Sequence, residues 1–519
     1  MTFDINNFED EEVWDLICEG RTKGVFQLES SLGKHWAKEV QPRNISELAA
    51  TISLIRPGTL KAQDEKTKKS MTQIYAYRKA GNPDYPVEYL HESLEPILKE
   101  TYGVLVYQEQ SMMIAQRLAG FNLKEADDLR KAIGKKKADL MEEIKQKFVD
   151  GAKKQGTVSQ KAAEEIFSWI EKSSRYAFNK SHAVAYAINA YWSAYCKTHR
   201  ILRFYQSSLN RSDRKPKSEI EIKQLVMDAK SVGIETYPPR LNRLYTNFQI
   251  DEPKRQIYFG LRHIKGVGQK ECEKIEELGD VSEYNWLDCL INIIHKLKLN
   301  KRAVIALISV GAFNGKNNTE TRQKMLYEFD SWKQLSAREQ SSIVDNQKDP
   351  SLRVRTLPEA IKVMMSNTKI NSRRIESVEN IMQSLVKPFY NLDDHASSIA
   401  DQETKFMGCA LTCSKVDDTQ IATDFCNDVA NGIIKKKVNL AVVITSIRVI
   451  RTKKGKTPGQ EMAFMCVEDS SGELDSITVF PETYEKNKSF LLEGNTVMLM
   501  CEPSKKDKGS VIVNKVIQI

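Results

Sequence analysis

Apolar spacing divides the chain into two regimes. From residue 1 to about 210, hydrophobic positions recur every three or four residues and predict helices. Between Glu142 and Trp169 this period is interrupted at Gln155-Gly156, which reads as a turn. Asn122 and Glu125 fit a capping box, in which the Asn122 side chain accepts an amide and Glu125 reaches back. The helix they open is expected to run through Arg130 and Lys131 and break at Gly134. After Ser181, the run AVAYAINAYWSAY carries small and aromatic residues on nearly every face, which predicts deep burial. From 437 to 519 the period becomes two. Val438, Leu440, Val442 and Ile444 alternate, as do Met462, Phe464 and Cys466, then Val497, Leu499 and Cys501. Turns fall at KKGKTPG, EDSSG and SKKDKG. This predicts a small antiparallel β domain with one helix near Pro481 to Leu492, compatible with an OB barrel.

The middle of the chain is mixed. RSDRKPK (211–217) reads as a surface loop. Residues 218–260 read as a helix, the turn TYPPR and a short hairpin around Phe248 and Tyr258. Residues 261–315 hold two short helical units with glycine turns, and residues 316–400 are polar and helical in parts. The fold class is therefore multidomain α+β. A length of 519 residues agrees, at roughly 100–200 residues per domain.

Charge narrows the picture only slightly. Lys+Arg number 78 against 69 Asp+Glu, a net of +9 that permits nucleic-acid binding without demanding it. Nine scattered cysteines with no C-x-x-C pair read as free thiols in a reducing cytoplasm. No apolar run long enough for a transmembrane helix occurs, and the acidic MTFDINNFEDEE start is not a secretory signal. A P-loop and a G-x-G-x-x-G after a strand are both missing.

Six stretches carry candidate chemistry. LRKAIGKKK (129–137) sets Arg130, Lys131, Lys135, Lys136 and Lys137 within nine residues, a cluster suited to a polyphosphate or, more blandly, a solvated basic face. In FNKSHAVAYA (178–187), Asn179, Lys180, Ser181 and His182 precede a helix whose free amides make an anion site, unless they form a plain cap. The turn at Arg56-Pro57-Gly58 holds Arg56 rigidly, and a structural turn explains it as well. Gln108 and Glu109 leave the strand-like run TYGVLVYQEQ (101–110), where one carboxylate does not make a metal site. IKGVGQKECEKI (264–275) offers Lys265, Gly266, Gly268 and Lys270 in a Gly-x-Gly turn that can present amides to DNA phosphate. A second glycine-terminated helix, LNKRAVIALISVGAF (299–313), with Lys301 and Arg302, makes a tandem pair of helix-hairpin-helix units. The β tail adds the basic loops of Lys453, Lys454 and Lys456 and of Lys505, Lys506 and Lys508. Phe464 and Phe480 are possible base-stacking rings there, with core packing the default. Asp127-Asp128 and Asp393-Asp394 do not assemble the converging carboxylates of a two-metal site.

Together these strings resemble a known family. GVFQLES (24–30), LIRPG (54–58), YGVLVYQEQ (102–110), LRKAIGKKK (129–137) and YAFNKSHAVAYA (176–187) occur in the order and spacing of the bacterial replicative DNA polymerase III alpha subunit, a family C polymerase. IKGVG and SVGAF are similar to its tandem hairpins. ETKFMGCALT (403–412) resembles the lead into its OB domain, and VEDSSGELDSITVF (467–480) that domain's central strands. The resemblance implies a fingers domain at 1–210, a hairpin DNA-binding region at 211–320, a helical linker at 321–436 and an OB domain at 437–519. It implies dNTP contacts by Arg130, Lys131, Lys135, Lys136, Lys137, Asn179, Lys180, Ser181 and His182, with Arg56 and Gln108 as weaker members. It implies DNA contacts by Lys265, Gly266, Gly268, Lys270, Lys301, Arg302, Lys453 and Lys454.

The family's palm, with its three catalytic aspartates, precedes GVFQLES. This chain starts about two dozen residues before that string. The expectation is the fingers-to-OB part of a split DNA-directed DNA polymerase in a bacterial or phage-infected cytoplasm. A separately encoded palm subunit would hold Mg2+, and primer-template DNA and dNTP would be the other partners, with no membrane. QKMLYEF (323–329) loosely matches the family's sliding-clamp peptide, although an amphipathic helix explains it more simply. The alternatives are a non-catalytic DNA-binding accessory protein, a polymerase relic, and an OB-type single-strand binder, which explains only the tail.

Overall fold

The structure is a computed structural model that describes residues 4–64, 67–135, 138–174, 176–368, 370–416, 424–430, 432–434, 436–452, 458–504 and 509–519. The chain forms two compact units, residues 1–204 and 205–519.

The first unit is helical. Its helices are α1 (Glu11–Cys18), α2 (Ser31–Val40), α3 (Ile45–Leu54), α4 (Pro57–Lys61), α5 (Met71–Lys79), α6 (Glu95–Leu98), α7 (Gln108–Ala119), α8 (Leu123–Lys135), α9 (Ala138–Gln155), α10 (Gln160–Ser174) and α11 (Lys180–His199), with α12 (Ile201–Asn210) following. Two apolar cores organise it. One joins α1–α3 and α5 to α11 around Trp14, Leu48, Tyr75 and Tyr191. The other fills the bundle α7–α10 around Leu118, Leu129, Phe148 and Phe167.

Local rules account for several boundaries. The expected capping box forms, with Glu125 N donating to Asn122 Oδ1 (3.0 Å) and Asn122 N to Glu125 Oε2 (2.8 Å). The turn at Gln155-Gly156 separates α9 from α10 as the spacing predicts, with Gly156 at a positive φ of 66°. Two expectations need correction. The helix does not break at Gly134 but continues to Lys135, because Leu129, Ala132 and Ile133 are buried and repay the modest cost of one interior glycine. Nor is α11 buried all round. Ala183, Ala187, Ala190 and Ala194 are fully covered, but Ser181, His182, Ala185 and Asn189 are exposed, leaving one open face.

Helix directions in the bundle follow from side-chain contacts. Lys147 Nζ pairs with Glu125 Oε1 at 2.8 Å, Thr157 Oγ1 donates to Leu118 O at 2.8 Å, and the Ser111 and Ser174 hydroxyls meet at 2.6 Å. So α7 and α9 run one way, α8 and α10 the other. The start of α7, the finish of α8 and the finish of α10 share one end of the bundle.

The second unit continues with α13 (Ser218–Ser231), strands β1 (Glu235–Tyr237), β2 (Gln249–Asp251) and β3 (Gln256–Tyr258), α14 (Gln269–Glu276), α15 (Trp286–Asp288), a π-helical turn Cys289–His295 and α16 (Lys301–Ser309). Then come α17 (Arg322–Gln334), α18 (Ala337–Asn346), α19 (Leu357–Asn367), α20 (Ser372–Val386), α21 (Ala396–Met407), α22 (Cys426–Ala430), β4 (Val438–Arg451), β5 (Glu461–Glu468), β6 (Glu473–Val479), α23 (Pro481–Asn487), β7 (Thr496–Pro503) and β8 (Val511–Gln518). The expected hairpin pairs β2 with β3 in antiparallel register, and β1 adds in parallel to give the order β1-β3-β2. The tail closes into a barrel, β4-β5-β6-β8-β7, the five-stranded closure expected of an OB fold. On β4 and β7 its inward residues are the alternating ones of the sequence, Val438, Leu440, Val442, Ile444, Val497, Leu499 and Cys501; on β5 the alternating set Met462, Phe464 and Cys466 is not the inward one, and Ala463, Met465 and Val467 fill the core instead.

A buried ion pair ties the helical stretch to the hairpin region. Arg322 donates to Glu403 Oε1 (2.8 Å), to Thr412 Oγ1 (3.1 Å) and to the Ser309 carbonyl (2.9 Å). Glu403, fully buried, also accepts the amides of Leu411 (2.6 Å) and Thr412 (2.8 Å). Gly311 has a φ of 79°, and a Cβ there would sit 2.9 Å from the Arg322 guanidinium.

QKMLYEF lies in α17, where Met325 and Phe329 are in the core. The loose match to a clamp peptide is thereby corrected, because the apolar side chains such a peptide would insert are already buried. In the same helix burial pushes the Glu328 carboxyl from its ordinary 4.5 up to about 7, against the pull of Lys324, whose Nζ is 3.9 Å away. Glu320 raises it further, and the Trp286 indole lowers it slightly from beyond hydrogen-bonding geometry. The folded state therefore holds a proton that the unfolded chain has lost between about pH 4.5 and about pH 7. Stability of this region is expected to fall across that window by up to about 3 kcal/mol and level off above it. Glu328→Gln should flatten the profile, as read by amide exchange of α17 at pH 5 and pH 8.

Candidate functional site

The open end of the first unit's bundle gathers two of the sequence's basic strings. Tyr107 and Phe178 form a parallel bridge, with Phe178 N donating to Val106 O (2.9 Å) and Gln108 N to Phe178 O (2.9 Å). The buried Gln110 fixes this strand edge, its Oε1 accepting the amides of Val106 (3.0 Å) and Tyr107 (2.9 Å) and its Nε2 donating to Thr101 Oγ1 (2.8 Å). The bridge brings the start of α7 against the start of α11.

Asn179 caps α11, accepting from His182 N (2.8 Å) and from the Ser181 hydroxyl (2.8 Å). Asn179 Nδ2 and Lys180 N both donate to the Glu109 carboxylate, at 2.8 and 2.9 Å. This corrects the simple reading of a free helix start. The anion that sits there is Glu109 of the chain itself, seventy residues earlier in sequence, and no local signal marks it. What remains for a ligand is the Lys180 ammonium. It is 39% exposed, pairs with Glu100 Oε1 at 2.6 Å and lies 5.6 Å from the Tyr107 ring centroid.

Arg130 and Lys131 leave the last turns of α8, at the same bundle end. Both are held by Asp127, at 2.9 and 2.7 Å, and Lys131 also approaches Asp128 at 3.7 Å. The two cations lower the Asp127 pKa, chiefly through the hydrogen bond from Lys131. Their exposures, 39% and 50%, leave them accessible, and solvent screens exposed pairs of this kind, so a polyphosphate can compete for them. Lys135 ends α8; Lys136 and Lys137 lie outside the described residues. Arg56 faces inward rather than toward a ligand. Its Nε donates to Ser53 O (2.7 Å), its Nη2 to Tyr176 O (2.7 Å), and its guanidinium stacks 4.5 Å from the Phe178 centroid, with burial lowering its pKa. It braces the loop that carries Asn179. Gln108 contributes its backbone amide to the bridge.

In the second unit the two hairpins come together. Gly266 has a φ of 100°, and a Cβ there would lie 3.1 Å from Arg302, so glycine lets the first hairpin pack against the start of α16. Asn300, which caps α16, donates to Glu271 Oε1 of α14 at 2.7 Å. The starts of α14 and α16 are thus neighbours, with Lys265, Gly266, Gly268, Lys270, Lys301 and Arg302 around them. Lys265 pairs with Glu219 (3.3 Å) and Lys301 with Asp330 (3.6 Å), both on exposed side chains. Two adjacent helix starts and a rim of cations suit phosphate contacts without base readout.

On the barrel, Phe464 and Phe480 are 42% and 48% exposed, which overturns the default of core packing. Phe464 pairs across the sheet with Arg448 and Thr478, a ring flanked by a cation on the outer face. Lys453, Lys454, Lys456, Lys505, Lys506 and Lys508 lie outside the described residues.

Among the described residues no group of three or more His, Cys, Asp or Glu side chains is gathered as a metal site requires. Glu100, Glu109 and Asp127, the carboxylates nearest the cations, are engaged with Lys180, Asn179, Arg130 and Lys131. The described donor set therefore does not fit Mg2+. Nor, among the described residues, is any helix long and apolar enough to cross a membrane.

Comparison with known proteins decides the relationship. Residues 2–156 match the family model of the bacterial DNA polymerase III alpha subunit finger domain, and residues 233–325 match a helix-hairpin-helix motif. The DNA polymerase III subunit alpha of Aquifex aeolicus is 33% identical over 96% of this chain and 38% of its own length. That of Borreliella burgdorferi is 30% identical over 100% of this chain and 42% of its own, and that of Bacillus subtilis 29% over 94% and 40%. The chain is a relative of the bacterial DNA polymerase III alpha subunit. It spans about two fifths of the length of these alpha subunits. The finger-domain match covers α1–α9 and the start of α7 with Glu109, and the hairpin match covers the neighbouring starts of α14 and α16. Among polymerase III alpha relatives, then, this chain carries finger, hairpin and barrel parts in that order.

Proposed function

We propose that this chain supplies the nucleotide-binding fingers and the DNA-tracking hairpins and barrel of a replicative DNA polymerase in a bacterial cytoplasm. Arg130, Lys131 and Lys180, with Lys135, Lys136 and Lys137, grip the triphosphate of the incoming dNTP, and Asn179, Ser181 and His182 shape the pocket. The observation that carries this reading is that Arg130, Lys131 and Lys180 share one end of the α7–α10 bundle; Arg130 and Lys131 lie within residues 2–156, which match the finger domain, and Lys180 follows that segment. Cations held in fixed positions favour the transition state by meeting the charge that develops on the leaving pyrophosphate. Glu100 and Asp127 hold these side chains in place until phosphate oxygens replace them.

In this reading the metal-binding aspartates come from a palm outside the described residues, carried by a palm-bearing polypeptide that is encoded separately. The experiment is primer extension by this chain with and without a palm-bearing polypeptide. Extension only by the mixture supports the reading; robust extension by this chain alone refutes it.

The hairpins and barrel hold the primer-template. Lys270→Ala and Arg302→Ala are each expected to reduce the slope of log affinity against log salt by about 1 while weakening different duplex sequences equally. Filter binding or fluorescence anisotropy across a salt series checks this.

A second reading, a DNA-binding accessory protein without catalysis, has one observation in its favour. Arg130, Lys131 and Lys180 each already have a carboxylate partner, as a purely structural role would require.

A further inference from the structure

We infer that the loop of residues 211–217, between α12 and α13, is a separate grip on the phosphate backbone of duplex DNA, beside the hairpins. This rests on the reading of the hairpins as DNA-tracking elements and extends their footprint to a stretch that sequence alone marks as a polar surface loop.

The loop, RSDRKPK, holds four cations, Arg211, Arg214, Lys215 and Lys217, and one acid, Asp213. All four cations are exposed. Asp213 does not neutralise them. It pairs at 2.5 Å with Arg262, a fifth cation brought in from the 3-10 turn Leu261–His263. Arg211 donates to the Ser207 hydroxyl, and among the described residues Arg211, Arg214 and Lys217 have no carboxylate at ion-pair distance. Arg130, Lys131, Lys180, Lys265 and Lys301, by contrast, each have one. Positive charge is therefore concentrated here, in a chain whose 78 Lys+Arg nearly balance its 69 Asp+Glu.

The loop is also held in place. Ser212 is buried, and its hydroxyl donates to Leu209 O at 2.7 Å. Arg214 N and Lys215 N donate to Arg211 O (3.1 Å) and Ser212 O (3.0 Å), closing the 3-10 turn Ser212–Arg214. Pro216 restricts the backbone between the two lysines. Cations carried on a fixed backbone lose less freedom when they meet a phosphate.

Two ion pairs set the loop against the first hairpin. Arg262, two residues before IKGVG, holds Asp213, and Lys265 within IKGVG pairs at 3.3 Å with Glu219, two residues after the loop. The loop cations thus continue the rim of Lys265, Lys270, Lys301 and Arg302. Duplex DNA carries one negative charge per about 1.7 Å of its axis, and each phosphate met by a cation releases counterions without any base being read. A continuous basic rim suits that ligand, and the adjoining helix starts already suit phosphate.

The test is fluorescence anisotropy of the full chain on a labelled duplex of mixed sequence, across a salt series. Arg214→Gln combined with Lys217→Gln is expected to lower the slope of log affinity against log salt by about 2. Binding should weaken roughly 10-fold at about 0.1 M salt, equally for different sequences. Arg214→Lys, which keeps the charge, should keep the slope. Lys348→Gln combined with Lys362→Gln removes the same net charge from exposed positions near α18 and α19 and should leave the slope unchanged. If the loop variant binds as the wild type does while Arg302→Ala still weakens binding, the loop is a solvated face; the inference is overturned and the hairpin reading stands. If the charge-matched control loses as much affinity, the effect belongs to net charge and the inference fails. If the loop variant loses polyglutamate binding but keeps duplex binding, the loop serves an acidic polypeptide and the inference is again overturned. If the wild type does not bind duplex, the hairpin reading itself falls and the loop with it.

Discussion

Replacing Arg322 with alanine is expected to cost the second unit about 3–5 kcal/mol, the range for a buried charge left without its partner. Glu403 would keep its two amide donors but lose the guanidinium that balances it, in a position with no exposure. The Ser309 carbonyl, at the end of α16, would lose its donor as well. A double Arg322→Leu, Glu403→Leu variant should recover only part of the loss, since Ser309, Leu411 and Thr412 would still lack the partners they have now. A chain of several domains need not unfold in one step, so the measurement is hydrogen exchange resolved over α16, α17 and α21. Exchange in these helices unchanged by Arg322→Ala would show that the pair is not the tie it forms in the structure.

The second large effect concerns the cations of the first unit. In a polymerase complemented by a palm-bearing chain, Lys180→Ala and Arg130→Ala are each expected to lower kcat/KM for dNTP by about 100- to 1,000-fold, as removal of a preorganised charge donor does. Neither cation is part of the buried core, and each pairs only with exposed or half-exposed carboxylates, so stability should change little. Single-turnover primer extension with varied dNTP separates binding from chemistry. Activities within twofold of wild type in both variants would favour the accessory-protein reading.

Legibility in the sequence followed the range of the interaction. The Asn122–Glu125 cap, the turn at Gly156 and the alternating strands of the barrel were readable because each depends on residues two to four positions apart. Gly134 was misread because a helix-weakening residue was weighed without the buried Leu129, Ala132 and Ile133 around it. The aromatic residues of the barrel were assigned to the core by default, since period alone does not say which side of a strand faces in when both carry apolar side chains. Phe464 faces out because its neighbours Ala463 and Met465 fill the interior.

The order of motifs, the basic strings and the closed β tail were determined by the sequence itself, through local hydrogen bonding and through the two periods of burial. Only the tertiary structure decided that Glu109 occupies the start of α11, that Arg302 lies over Gly266, that Arg322 finds Glu403, and that one side of α11 stays open. These pairings join residues tens of positions apart. Such contacts depend on how whole helices pack, and a carboxylate or a guanidinium carries nothing in its local neighbourhood to say which distant partner the packing will bring.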